Sequence, residues 1–113
     1  MAFTDLEYHS VSREIELFVG SIRSPLHLRS KIEIVYRITN QTINIGELRL
    51  FWRRNTGETS ILPVAKITFI RSGNIWKLYW MHGNVKWEFH SDAASLAEAL
   101  NMVRADSSCC FWG

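Results

Sequence analysis

The sequence predicts an α+β fold: a mostly antiparallel sheet of about five strands, flanked by an N-terminal and a C-terminal helix. Three observations carry this expectation. Capping boxes at Thr4-Asp5-Leu6-Glu7 and Ser95-Leu96-Ala97-Glu98 each open a run of apolar residues at helical spacing. Between these runs the apolar residues change to a period of two. Asparagine, glutamine and glycine pairs interrupt that region where tight reversals would fall.

The first helix starts at Thr4, whose hydroxyl accepts from the third helical N–H while Glu7 reaches back to the cap. Val11, Ile15, Phe18, Val19 and Ile22 share one face, and Arg13, Glu14 and Glu16 lie elsewhere, so the helix must dock on an apolar surface. Gly20 and Ser24-Pro25 end it, with a short helical turn expected over residues 24 to 30. From Lys31 onward, Ile32, Ile34, Tyr36 and Ile38 alternate with Lys31, Glu33, Val35 and Arg37, the pattern of a half-buried strand. Asn40-Gln41 turns into a second strand, where Ile43 and Ile45 lie on one phase and Leu48, Leu50 and Trp52 on the other. Gly46 between them predicts a bulge. Residues 55 to 60 form a polar loop, and a third strand is expected from Pro63 to Arg71.

The next stretch, WKLYWMHGNVKW over residues 76 to 87, holds three of the chain's five tryptophans. With Gly83-Asn84 as a two-residue loop, Trp80 faces Trp87 and Leu78 faces Phe89. Trp76, Leu78, Trp80, Val85, Trp87 and Phe89 then share one face, and Lys77, Tyr79, Met81, Lys86, Glu88 and His90 take the other. On this reading the tryptophans are core. Each buries roughly 150 to 250 Å², worth at most about 4 to 6 kcal/mol before entropy is subtracted. Leu96, Ala99, Leu100 and Val103 supply the apolar face of the final helix.

A chain of 113 residues buries one core without disulfides or metals and is too short for a second, so residues 1–113 are read as a single domain. Hydrophobic residues at 47% and charged residues at 21% match ordinary globular proteins and argue against disorder. The formal charge of +2 nominates no partner by itself. The N-terminal residues lack a secretory pattern, and no apolar run approaches the roughly 18 residues of a membrane span, so a cytoplasmic protein without membrane association is expected. The two cysteines, Cys109 and Cys110, are adjacent, which disulfide geometry disfavours within one chain.

Cations beside an aromatic ring on a sheet face match surfaces that stack bases and hold phosphates, which nominates Lys77, Tyr79, Lys86 and His90 with Arg49, Arg53 and Arg54 nearby. The plain alternative is a solvated face, or one covered by a helix or a second subunit. His9, His27, His82 and His90 lack metal-ligand spacing, and neither a metal nor a cofactor is expected. Cys110 would serve as a nucleophile only beside a base or positive charge, and Glu47 as an acid or base only in a pocket. Cys110, Phe111 and Trp112 fit better as an interaction tail against the sheet or a second subunit. The leading expectation is therefore a non-enzymatic interaction domain that binds a protein partner or a second copy of itself. The alternatives are single-stranded nucleic-acid binding and, behind it, a cysteine-dependent enzyme.

Trp76, Lys77, Leu78, Tyr79, Trp80, Lys86 and Trp87, with Asp106 and the ending Cys110-Phe111-Trp112-Gly113, resemble the bacterial family known as domain of unknown function 3024. Pro25, Leu28, Arg29, Tyr36, Arg37, Glu47, Arg49 and Trp52 extend the resemblance upstream. Leu50, Glu88 and Cys109 depart from the proline, histidine and glycine that the family pattern implies there. The resemblance implies a small bacterial protein, in some cases carried on mobile gene cassettes, with no assigned activity or cofactor.

Overall fold

The computed structural model describes residues 3–22, 32–50, 59–82 and 86–105. Helix α1 spans Asp5–Ile22. Strands β1 (Ile32–Thr39), β2 (Thr42–Leu50), β3 (Thr59–Ile70), β4 (Ile75–His82) and β5 (Lys86–Ala93) follow, and helix α2 spans Leu96–Ala105. The strands form one antiparallel sheet in the order β1-β2-β3-β4-β5. Among the described residues, two helices on a five-stranded antiparallel sheet make the α+β fold that the patterning predicts. The expected turn over residues 24 to 30 lies outside the described residues.

The first capping box forms in full, and the second forms with its glutamate bonded one residue before the cap. The Thr4 backbone N–H donates to Glu7 Oε1 at 2.8 Å, and the Glu7 N–H donates to Thr4 Oγ1 at 3.2 Å. At α2, the Glu98 N–H donates to Ser95 Oγ, and Glu98 reaches back to the N–H of Ala94. Val11, Ile15, Phe18 and Val19 of α1 and Leu96, Ala99, Leu100 and Val103 of α2 are buried. Together they cover Ile34, Ile43, Ile45, Ala65, Ile67 and Leu78 from one side of the sheet. Phe3, Phe69 and Trp76 form an aromatic cluster at its margin, with ring centroids 4.7 to 6.3 Å apart.

Polar contacts fix how α1 crosses the sheet. Both Nη atoms of Arg71, in the β3–β4 turn, donate to the Glu7 carboxylate at 2.9 Å. Further along the helix, the Tyr36 hydroxyl of β1 donates to Glu16 Oε1 at 2.6 Å. Arg104 ties the end of α2 to that of α1 by donating to Ser21 Oγ and lying over the Phe18 ring. Asn40 and Asn74 take left-handed φ values of 54° and 48° in the two described turns, a conformation asparagine tolerates better than most residues.

The bulge expected at Gly46 is present, and its extra residue is on the neighbouring strand. Ile45 pairs with Ala65 and Gly46 with Pro63, which leaves Val64 over. Strand β3 itself begins at Thr59, earlier than the expected Pro63. A Cβ on Gly46 would meet Ile61 Cγ2 at 2.7 Å and the Leu62 carbonyl oxygen at 3.0 Å, so close backbone approach requires glycine here.

The register of the last hairpin differs from the expectation by one residue. His82 pairs with Lys86, which leaves three residues between the strands where two were expected. Met81 then faces Trp87, Trp80 faces Glu88 and Tyr79 faces Phe89. The pairing shifts again beyond Tyr79, so that His90 is the extra residue and Leu78 faces Ser91. An odd loop length inverts every side chain of β5 as far as the bulge, and the bulge returns Ser91 and Ala93 to the helix side. Trp76, Leu78 and Trp80 stay on the helix side as expected, whereas Trp87 and Phe89 do not.

Candidate functional site

The opposite face of the sheet, here called the open face, carries no helix among the described residues. Alternation along β3 sends Ala65, Ile67 and Phe69 to the helices and Lys66 and Thr68 to the open face. The same alternation places Lys77, Tyr79 and Met81 there from β4, and the three-residue hairpin loop adds Trp87 and Phe89 from β5. Thr42 and Thr68 meet across β2 and β3 through their hydroxyls at 3.1 Å.

Cations and rings interleave on this surface. Lys66 Nζ lies 4.8 Å from the Tyr79 ring centroid and 5.3 Å from that of Trp87. Lys77 Nζ lies 5.1 Å from the Phe89 centroid and pairs with Asp92 at 3.2 Å. Tyr79 and Phe89 meet edge to face at 5.9 Å. Lys66 and Arg37 form no ion pair among the described residues, and Arg37 is exposed. Toward β1 the face hollows into a groove of about 820 Å³ lined by Val35, Arg37, Asn44, Ile61, Pro63 and Trp87. Gly46, without a side chain, is also among its lining residues.

Charge is divided between the faces. Glu7 and Glu16 are engaged on the helix side, Glu47 is buried in register with Ile34 and Leu62, and Glu98 caps α2. Asp92 is the one carboxylate among the described side chains of the open face; the backbone of Glu33 pairs with Leu48 near the end of β1. The Arg71 guanidinium, followed by the Thr4 backbone N–H, holds the Glu7 carboxyl down at about 2. On the helix side as well, the Glu16 carboxylate that accepts its proton pushes Tyr36 up to about 12.

Of the residues nominated from sequence, Lys77 and Tyr79 share the open face. Lys86 does not: it pairs with Glu88 at 4.0 Å on the phase of Trp80, a consequence of the longer loop. His90 is the bulge residue, with its Nδ1 2.8 Å from Ser91 Oγ. The backbone of Arg49 pairs with Ile32 and Ser60, and Arg53, Arg54, Cys110, Phe111 and Trp112 lie outside the described residues. Sequence reasoning passed over Lys66, although it is the only charged residue between Ile61 and Ile70 and stands out of phase with Ala65 and Ile67. It assigned Trp87 and Phe89 to the core because Gly83-Asn84 resembles a two-residue turn.

Glu47, the acid or base candidate, belongs to the helix side, away from the groove. No cluster of three histidine, cysteine, aspartate or glutamate side chains converges as a metal site among the described residues. No helix among them is long and apolar enough to cross a membrane. No curated protein and no solved structure matches the chain. A family model does match, over residues 3–113, and this chain therefore belongs to the family described as Domain of unknown function (DUF3024).

Proposed function

We propose that the chain is a non-enzymatic interaction domain of the bacterial cytoplasm that binds through the open face of its sheet. The observation that carries this reading is the gathering of Ile61, Met81, Tyr79, Trp87 and Phe89 at outward positions of β3 to β5. A sheet face turned to water usually alternates to polar side chains, and an apolar aromatic patch rimmed by polar groups is characteristic of a binding surface. Ile61 is 60% exposed and Phe89 53% exposed, so neither ring nor branch is consumed by the core. A homodimer joined at this face is one form such a domain takes.

The test compares the two sides of the molecule. The full chain, tagged and purified at low salt, is compared with Ile61→Asp and Phe89→Asp on the open face and with Leu17→Asp at an exposed position of α1. Light scattering reads self-association, and the absorbance spectrum with mass spectrometry identifies what co-purifies. The open-face variants should lose the partner or the second copy, and Leu17→Asp should keep it. The reverse pattern would move the binding surface to the helices.

A further inference from the structure

Resting on that reading of the open face, we infer that its partner is a single-stranded nucleic acid, with Lys66 and Arg37 receiving phosphates and Tyr79, Trp87 and Phe89 receiving bases. The partner is anionic on this reading, because among the described side chains of the face Lys66, Lys77 and Arg37 outnumber the one carboxylate, Asp92, while Glu7, Glu16 and Glu98 are held on the helix side. The same charge opposes face-to-face pairing of two copies, which would bring Lys66, Lys77 and Arg37 of one against those of the other. The partner must also offer flat π-systems, because three aromatic rings from adjacent strands make a stacking platform. An acidic peptide meets only the first requirement. Duplex DNA likewise meets only the first, since its bases are already stacked and this surface presents no projecting helix for the major groove.

Lys66 links the two kinds of recognition. Its ammonium has no ion-pair partner among the described residues and rests over the Tyr79 and Trp87 rings at 4.8 and 5.3 Å. A phosphate is a stronger partner for an ammonium than a ring quadrupole. Phosphate binding therefore draws Nζ off the rings and frees their faces for bases, so that backbone and base contacts form together. The adjoining groove, lined by Arg37, Asn44, Ile61 and Pro63 among others, has room for the strand to continue toward β1.

The test is fluorescence anisotropy with a labelled mixed-sequence oligonucleotide of about 12 nucleotides, a length within the site sizes of sheet-based binders. It is run as single-stranded DNA, single-stranded RNA and duplex, with poly-glutamate as competitor. The single strands should bind at low salt and weaken steeply as salt rises. Lys66→Gln should lower the log–log salt slope by about 0.7, the value expected for one phosphate contact on a single strand. Phe89→Leu should weaken binding by about tenfold with the slope unchanged, as loss of one stacked base predicts. Arg37→Gln, at an exposed position, repeats the slope measurement should Lys66→Gln fold poorly. Duplex or poly-glutamate bound as tightly as single strands would overturn the inference in favour of simple charge attraction. Absence of oligonucleotide binding at low salt would also overturn it, and light scattering on the same samples separates the two readings. A salt-insensitive dimer abolished by Ile61→Asp keeps the open face and replaces the partner with a second copy. A dimer indifferent to Ile61→Asp ends both readings.

Discussion

Trp80 and Trp87 belong to the same hairpin and to opposite faces of the sheet. Trp80, at an inward position of β4, packs against the core under the helices. Trp87, facing Met81, stands among Lys66, Tyr79 and the wall of the groove. The two residues are chemically identical and share a strand pair, so hydrophobicity does not separate them. What separates them is the parity of the loop between their strands. The wider contrast is of the same kind: one face holds fully buried Ile43, Ile67 and Leu78, and the other holds the ammoniums of Lys66 and Lys77 beside aromatic rings.

The largest effect that would break this comparison is a cavity on the inward face. Leu78→Ala, at a position with no exposed surface, should cost about 2 to 5 kcal/mol, read as a lower urea midpoint at constant slope. An unchanged midpoint would mean that the faces are wrongly assigned. Next, Gly46→Ala should cost about 1 to 3 kcal/mol because its methyl would crowd Ile61 and the Leu62 carbonyl. Adding Ile61→Ala should recover part of that loss, whereas no recovery would place the strain in the backbone alone.

Two pH windows sharpen the picture of the helix side. Glu7 titrates at about 2 when folded against an ordinary 4.5, so its contribution is complete above pH 4.5 and lost as pH falls through about 2. Thermal midpoints of Glu7→Gln should therefore fall less steeply with acid than those of the wild type. Tyr36, raised from 10.0 to about 12, contributes fully below pH 10 and loses its contribution as pH rises through about 12. Ultraviolet titration should show one late phenolate, absent in Tyr36→Phe and shifted earlier in Glu16→Gln. The smallest effect belongs to the open face: Lys66→Ala should cost no more than about 1 kcal/mol, the scale of its contacts with the Tyr79 and Trp87 rings. A loss comparable to Leu78→Ala would make Lys66 a structural residue and remove it from the binding surface.

Much of this architecture was legible from local pattern. The capping boxes at Thr4 and Ser95, the one-face clustering of Val11, Ile15, Phe18 and Val19, and the alternation of Ile34, Tyr36 and Ile38 are short-range features, and each reappears in the structure. The candidate site was half legible. Lys77 and Tyr79 are legible because β4 alternates without interruption, the extra residue of the bulge lying on β5. Lys86 was misplaced, and Trp87 and Phe89 were assigned to the core, because their phase depends on loop length. Gly83-Asn84-Val85 is compatible with two-residue and three-residue connections alike.

By itself, then, the sequence determined which segments become helices and strands, where α1 and α2 begin, and which helix faces must be buried. Those properties depend on residues within a few positions of one another. Tertiary pairing decided which way β5 faces, because a register is a relation between two strands and a single-residue slip inverts every side chain. It also decided that Lys66 of β3, Tyr79 of β4 and Trp87 of β5 converge, and that Arg71 reaches Glu7 across 64 residues of chain. The candidate site is assembled from strands adjacent in space, so its composition became readable only once their register was known.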